Sequence, residues 1–379
     1  MKASLRLLAT LLLPLAPAAV SAGAPVKQAY ISCVQNQLAA MGVNGVSVTG
    51  RLSGATRQGA EALRQQNPQA QGLAMLPRLT EKSAVGWCRE IGALQPGLRK
   101  YMPAAQAPIV TGQGGAGSVQ TALLRQSFQD VESFFKNHYG IYPASRVDVA
   151  GADSGEDLAQ LAVGLQRQRG RSFGRMSTYV AKICETPSSK YGGQAYLDQL
   201  LICWPLKSRY DAAWAKKVRR VVGAIMAHEY MHHIQRELAH EKVLSKNYTP
   251  RRRFGPAWMV EGGAELGEYN WLVKRGYRKL TLQELQKSAL KNSKGLRGMQ
   301  NYGTVKGGEQ YRTARFAVYL LAHRFGEDAV LNYWRYLGQG KSWEAAFRAA
   351  FGMSLGTYSS EFETLRRDLA QAKAFMAGK

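Results

Sequence analysis

Apolar residues recur at helical intervals along most of this chain, and only short stretches alternate as a strand does. Between Thr121 and Tyr139, the residues Leu124, Phe128, Val131, Phe134 and Phe135 mark one stripe of a helix. The stretch 212–238, AAWAKKVRRVVGAIMAHEYMHHIQREL, is the strongest helix in the sequence. Trp214, Val218, Val221, Val222, Ile225 and Met226 give it an apolar face, and no proline interrupts it. A further helix is expected over 256–269, and shorter helical patterns run from Ala29 to Met41, Thr56 to Gln66 and Gly155 to Gln166. Strand signals are confined to two places. RVDVA at 146–150 alternates, and Tyr191 to Pro205 carries Tyr196, Leu200, Leu201, Ile202 and Trp204 after a Gly192-Gly193 start. The expectation is an α+β fold, predominantly helical, with a small sheet that arrives just before the long helix.

The 379 residues suggest one large domain with a smaller companion. Residues 1–22 read as a secretory signal: Lys2 and Arg6 precede an apolar run from Leu7 to Val20, and Val20-Ser21-Ala22 offers a small-residue cleavage site. Cleavage after Ala24 would put Pro25 directly beyond the scissile bond, so the cut is expected after Ala22. An uncleaved anchor is the alternative, but Pro14 and Pro17 break a run already short of the ~20 residues a spanning helix needs. Residues 23–102 form a small helical block rich in Gln, Ala and Gly, for which a propeptide, a cap and a binding module all stay open. The stretch PAAQAPIVTGQGGAGS has linker composition, so a linker is placed at 103–120 and a second domain at 121–379, with a long surface loop as the alternative.

Export gives the cysteines their meaning. Four of them, Cys33, Cys88, Cys184 and Cys203, suit two disulfides in an oxidising compartment, periplasmic or extracellular. Three connectivities are open, of which Cys33–Cys88 and Cys184–Cys203 keeps each pair within one compositional block.

The chemistry lies on the long helix. His228 and His232 are four apart, so both imidazoles project from one face and can reach one metal ion. Glu229 stands beside the first, placed to contact a zinc-bound water and not the ion. With six histidines in the chain, an HExxH arises by chance in roughly one chain in a hundred. Surface histidines in ion pairs are therefore the competing reading until a partner is found. A hydrolytic zinc needs a third protein ligand and an open position. The segment PAWMVEGGAELGEY supplies Glu261 as that ligand, with Glu265 one helical turn on, able to hydrogen-bond a ligand imidazole and fix its tautomer. His233 points about 100° away from His232 and is not expected to be a ligand. His138 and His240 carry no signal.

HEYMH followed 29 positions later by EGGAE resembles the gluzincin, or peptidase MA-like, zinc peptidases, with a spacing nearest to bacterial collagenase-type enzymes. The resemblance extends from about Ser127 to Arg367, including YRTARFAVYLLAHRFGEDAV and SWEAAFRAAFGMSL, and does not reach residues 25–118. It implies a zincin-like catalytic domain with a small mixed sheet over the HExxH helix, whose edge strand, here Tyr191 to Pro205, takes an extended peptide or protein substrate. It also implies a donor for the oxyanion: Tyr311 is the first candidate, with Tyr302 and His323 as alternatives.

The net charge of +25 falls to +23 once Lys2 and Arg6 leave with the signal. Such a chain is drawn to anionic surfaces, an envelope polymer among them. Clusters at Lys216, Lys217, Arg219 and Arg220, at Arg251–Arg253, and at Lys274, Arg275, Arg278 and Lys279 contain no nucleic-acid motif, so specific nucleic-acid binding is not expected. No later stretch is apolar enough for a transmembrane anchor. Two rival functions share these features. One is a non-catalytic protein of the same fold that holds anionic envelope polymers, and the other is a zinc amidase acting on cell-wall peptides.

Overall fold

A computed structural model describes residues 26–378 apart from 82, 103–108, 113–116, 142–145, 170–175, 185–189, 197, 240–254 and 302–303. The expected signal and its cleavage site, the cluster Arg251–Arg253, His240 and Tyr302 lie outside the described residues.

Helices α1 (Val26–Ala40), α2 (Gly54–Gln66), α3 (Gln71–Ala74) and α4 (Ala84–Leu94) make an N-terminal unit. Ser53 starts α2 by accepting a hydrogen bond from the Thr56 amide, which satisfies an otherwise orphaned donor of the first turn. The unit has an apolar core of its own, built on Ile31, Val34, Leu38, Leu63, Trp87 and Ile91. Cys33 and Cys88 join α1 to α4, their Cα atoms 5.7 Å apart.

The rest of the chain is built on one mixed sheet: β1 (Val110–Gly112), β2 (Asp148–Ala152), β3 (Gly192–Tyr196) and β4 (Gln199–Cys203), in the order β1-β2-β4-β3. The first three in that order run parallel, and β3 lies antiparallel to β4 at the edge. β4 is buried throughout because both faces are covered. Leu200 and Ile202 turn toward α5 (Gly117–His138) and α8 (Ala212–Leu238), while Leu201 and Cys203 turn toward α6 (Gly155–Gln168) and α7 (Met176–Ala181). Cys203 also pairs with Cys184, again with 5.7 Å between Cα atoms.

Three sequence expectations change here. Tyr191 to Pro205 is a hairpin and not one strand, with Tyr196 opposite Gln199. Its turn is hard to read because Asp198 is the only turn-type residue between two apolar runs; it is held by Arg169 and Gln166. The strand expected at 146–150 lies at 148–152. The stretch 103–120 contains β1 and the first residues of α5, so the sheet begins inside what composition reads as linker. β1 joins by backbone pairing of Val110 with Val149, which leaves no side-chain period to detect.

α8 begins at Asp211, whose side chain accepts from the Trp214 amide at 2.8 Å. Helix α9 (Ala257–Lys274) packs along it, and α10 (Leu282–Leu290), α11 (Gly308–Phe325), α12 (Glu327–Gly338), α13 (Trp343–Phe351), α14 (Leu355–Leu365) and α15 (Leu369–Met376) complete the fold. α8 and α9 approach closely because glycines line their contact. Gly267 meets Met231, Gly263 meets Gln235, and Gly223 meets the ring of Trp271. The N-terminal unit is fastened at the end of α8, where buried Arg89 pairs with half-buried Glu237 at 2.8 Å. Gln339 also donates to the Met75 carbonyl. Among the described residues no helix is long and apolar enough to cross a membrane.

A Cβ at Gly223 would lie 2.7 Å from Trp271 Cζ2, in a core where the indole cannot move aside. Gly223→Ala is expected to cost ~1–3 kcal/mol by overpacking. Gly164 in α6 has open space around it, so Gly164→Ala should keep or slightly raise stability. Urea or thermal denaturation of both variants tests this, and equal stability in the two would refute the close-contact reading.

Candidate metal centre

α8 presents His228 and His232 toward Glu261, Glu265 and Glu268 of α9. The Nε2 atoms of His228 and His232 each stand 3.5 Å from one oxygen, Glu261 Oε2. These residues form a group whose ligand atoms are close enough to hold one metal ion. A regular tetrahedron with edges of that length has its centre about 2.1 Å from each corner, which is the bond length of zinc to imidazole nitrogen and carboxylate oxygen. Two imidazole nitrogens and a carboxylate oxygen at these separations are a donor set that could hold such an ion.

Each imidazole is held from behind. His232 Nδ1 lies 2.9 Å from Gln235 Oε1, and Gln235 Nε2 donates to the Val260 carbonyl at 2.9 Å. Because the amide nitrogen is committed to Val260, the amide oxygen accepts and Nδ1 carries the proton. That leaves the Nε2 lone pair of His232 facing Glu261. His228 Nδ1 faces Glu268 Oε2 at 3.5 Å and Glu265 Oε1 at 4.0 Å. Glu268, which the sequence reading did not single out, is thus the nearer carboxylate to this ring. Glu265 turns its other oxygen to Arg315, 3.3 Å away.

Carboxylates surround the two imidazoles and shift the titration of their neighbours. Burial disfavours the charged form of His228, yet hydrogen bonding to Glu261 and Glu268 and the charges of Glu229 and Glu261 raise its pKa well above the usual histidine value. Glu261 is driven the other way: burial opposes ionisation, but His228 and His232 hold its carboxyl well below the usual carboxylate range. Glu265 is pushed up to about 7, first by burial and then by the charge of Glu268, against the pull of Arg315. His228, Glu265 and Glu268 form a second potential donor group, but the guanidinium of Arg315 already supplies positive charge to it.

Glu229 is not one of the three donors. Its Oε2 accepts from the Ala195 amide of β3 at 2.6 Å, at the free edge of the sheet. Tyr311, in the first turn of α11, has its ring centroid 5.9 Å from that of His228. His323 lies twelve residues further along the same helix, about 18 Å by helix rise. There it lies against Tyr319, with ring centroids 4.1 Å apart and the rings tilted by 45°. His233 is a core residue: its Nε2 donates to the Gln199 carbonyl at 3.1 Å, and burial first, then the charges of Arg236, His232 and Arg169, lower its pKa to about 3. The basic clusters at 216–220 and 274–279 are exposed on α8 and after α9. Arg219 there bonds Gln126, and Arg275 pairs with Asp130 at 2.6 Å.

Two of the residues that sequence reasoning missed had a signal. Gln235 is three positions after His232, and Glu268 is seven after Glu261, so both share a helix face with a ligand. Ala195 and Arg315 had none, since only tertiary packing brings them here. No family model, curated protein or solved structure matches the chain.

Gln235→Ala is expected to leave the fold intact and to weaken zinc binding about 10–100-fold, the usual effect of removing a group that orients a ligand imidazole. Competition with a chromogenic chelator measures it, and an unchanged affinity would remove Gln235 from that role.

Proposed function

We propose that this chain is an exported zinc peptidase of the gluzincin type. The observation that carries the reading is the convergence of His228 Nε2, His232 Nε2 and Glu261 Oε2, with Glu229 held apart from them on the same helix as the two histidines. The helix α8 lying under a small mixed sheet, with β3 as the sheet's edge strand beside it, agrees with a zincin-like catalytic domain. The N-terminal leader and the two disulfides favour export.

Zinc, if held by these three atoms, would supply Lewis acidity to water and to a carbonyl. The protein does the rest. Glu229, beside the ligands on the same helix, takes a proton from the attacking water and delivers it to the leaving amine. Gln235 and Glu268 hold the two imidazoles with Nε2 forward. Tyr311, beside His228, offers a hydroxyl to the oxyanion.

Elemental analysis of protein never exposed to chelator should give about one zinc per chain, and His228→Ala or Glu261→Ala should abolish it. Glu229→Gln should keep the metal and lower hydrolysis of an unfolded protein substrate by roughly 10²–10⁴-fold. Absence of zinc in the wild type sinks the metal site, and full activity in Glu229→Gln sinks the assigned base. A wild type that cleaves nothing but binds anionic envelope fractions in a salt-sensitive manner would instead be the non-catalytic binding protein.

A further inference from the structure

The edge strand and the long helix meet at a single residue. Ala195 of β3 gives its amide to Glu229 Oε2 at 2.6 Å, and its carbonyl accepts from Arg236 Nη2 at 2.8 Å and from Gln194 Nε2 at 3.3 Å. Glu229 and Arg236 are seven residues apart on α8, within about 20° of the same face. One face of the helix therefore grips both backbone groups of one strand residue. The strand is also held by its ladder to β4 and by burial of Ala195 in the core. Among the described residues it pairs with β4 alone, and it opens with Gly192-Gly193, which have no side chains to anchor. Gly193 must also be bare, because a Cβ there would sit 3.0 Å from Glu229 Cγ and would crowd Ile225 as well.

Building on the peptidase reading, we propose that Arg236 is a positioning residue for the general base. By holding the Ala195 carbonyl it keeps the Ala195 amide on Glu229 Oε2, which directs the carboxylate and leaves Oε1 as the oxygen that takes the proton. Arg236 itself touches neither the three donors nor the reacting atoms; it acts through the strand.

The test compares wild type with Arg236→Ala and Arg236→Lys, reading zinc content, kcat and KM on an unfolded protein substrate, and hydrogen exchange of residues 192–196. Arg236→Ala should keep its zinc, lose about tenfold in kcat with KM within twofold, and exchange faster at 192–196. Arg236→Lys, which can still donate to the carbonyl, should recover most of the kcat. The proposal is overturned if Arg236→Ala retains wild-type kcat and exchange. It is also overturned if both variants lose activity together with zinc, since that reports general damage to the fold. Should the wild type hydrolyse nothing, the peptidase reading falls, and exchange at 192–196 still decides the clamp: faster in Arg236→Ala supports it, unchanged refutes it.

Discussion

Everything at the candidate centre depends on how closely α8 and α9 pack. One carboxylate oxygen stands 3.5 Å from nitrogens of two imidazoles on a different helix, a separation that ordinary side chains between the helices would not permit. Gly223, Gly263 and Gly267 remove those side chains, and Trp271 and Met231 fill the space. On its other side α9 is pressed by α11, where Gly262 lies under the carbonyl of Ala314 and beside Val318. The glycines of EGGAE are thus as much a part of the centre as its glutamates.

Such packing forces charge into a largely buried place, and the structure answers by giving each acid its own partner. Glu261 faces two imidazoles, Glu268 faces His228, Glu265 meets Arg315, and Glu229 accepts from the Ala195 amide. Buried charges without partners are costly, so this division of labour also separates roles. The acid that lies among imidazoles belongs to a group that could hold a metal ion, while the acid held by a backbone amide stands apart from that group.

The N-terminal unit is tied to the same helix. It has its own apolar core and disulfide, and its contact with the end of α8 runs through Arg89 and Glu237, both with little exposure to solvent. Arg236, the neighbour of Glu237, reaches the edge strand from the same turn of helix. The end of α8 therefore contacts both the N-terminal unit and the edge strand.

The sequence by itself determined what depends on local period. HEYMH sits on a helix, so His228 and His232 share a face; EGGAE sits on another, so Glu261, Glu265 and Glu268 form a stripe. The predominance of helix and the favoured cysteine pairs were legible for related reasons, periodicity and compositional blocks. What depends on contacts between distant segments was not. The strand β1 hid in linker-like composition because backbone pairing carries no side-chain pattern, and the β3–β4 turn hid between apolar runs. Glu268, and not Glu265, stands nearer to His228, because the crossing of α8 and α9 sets which member of the stripe faces the ring and Arg315 draws Glu265 away. Ala195 reaches Glu229 across 34 positions, and no local rule links them. A helical or strand period fixes which side chains share a face; only tertiary packing decides what that face meets.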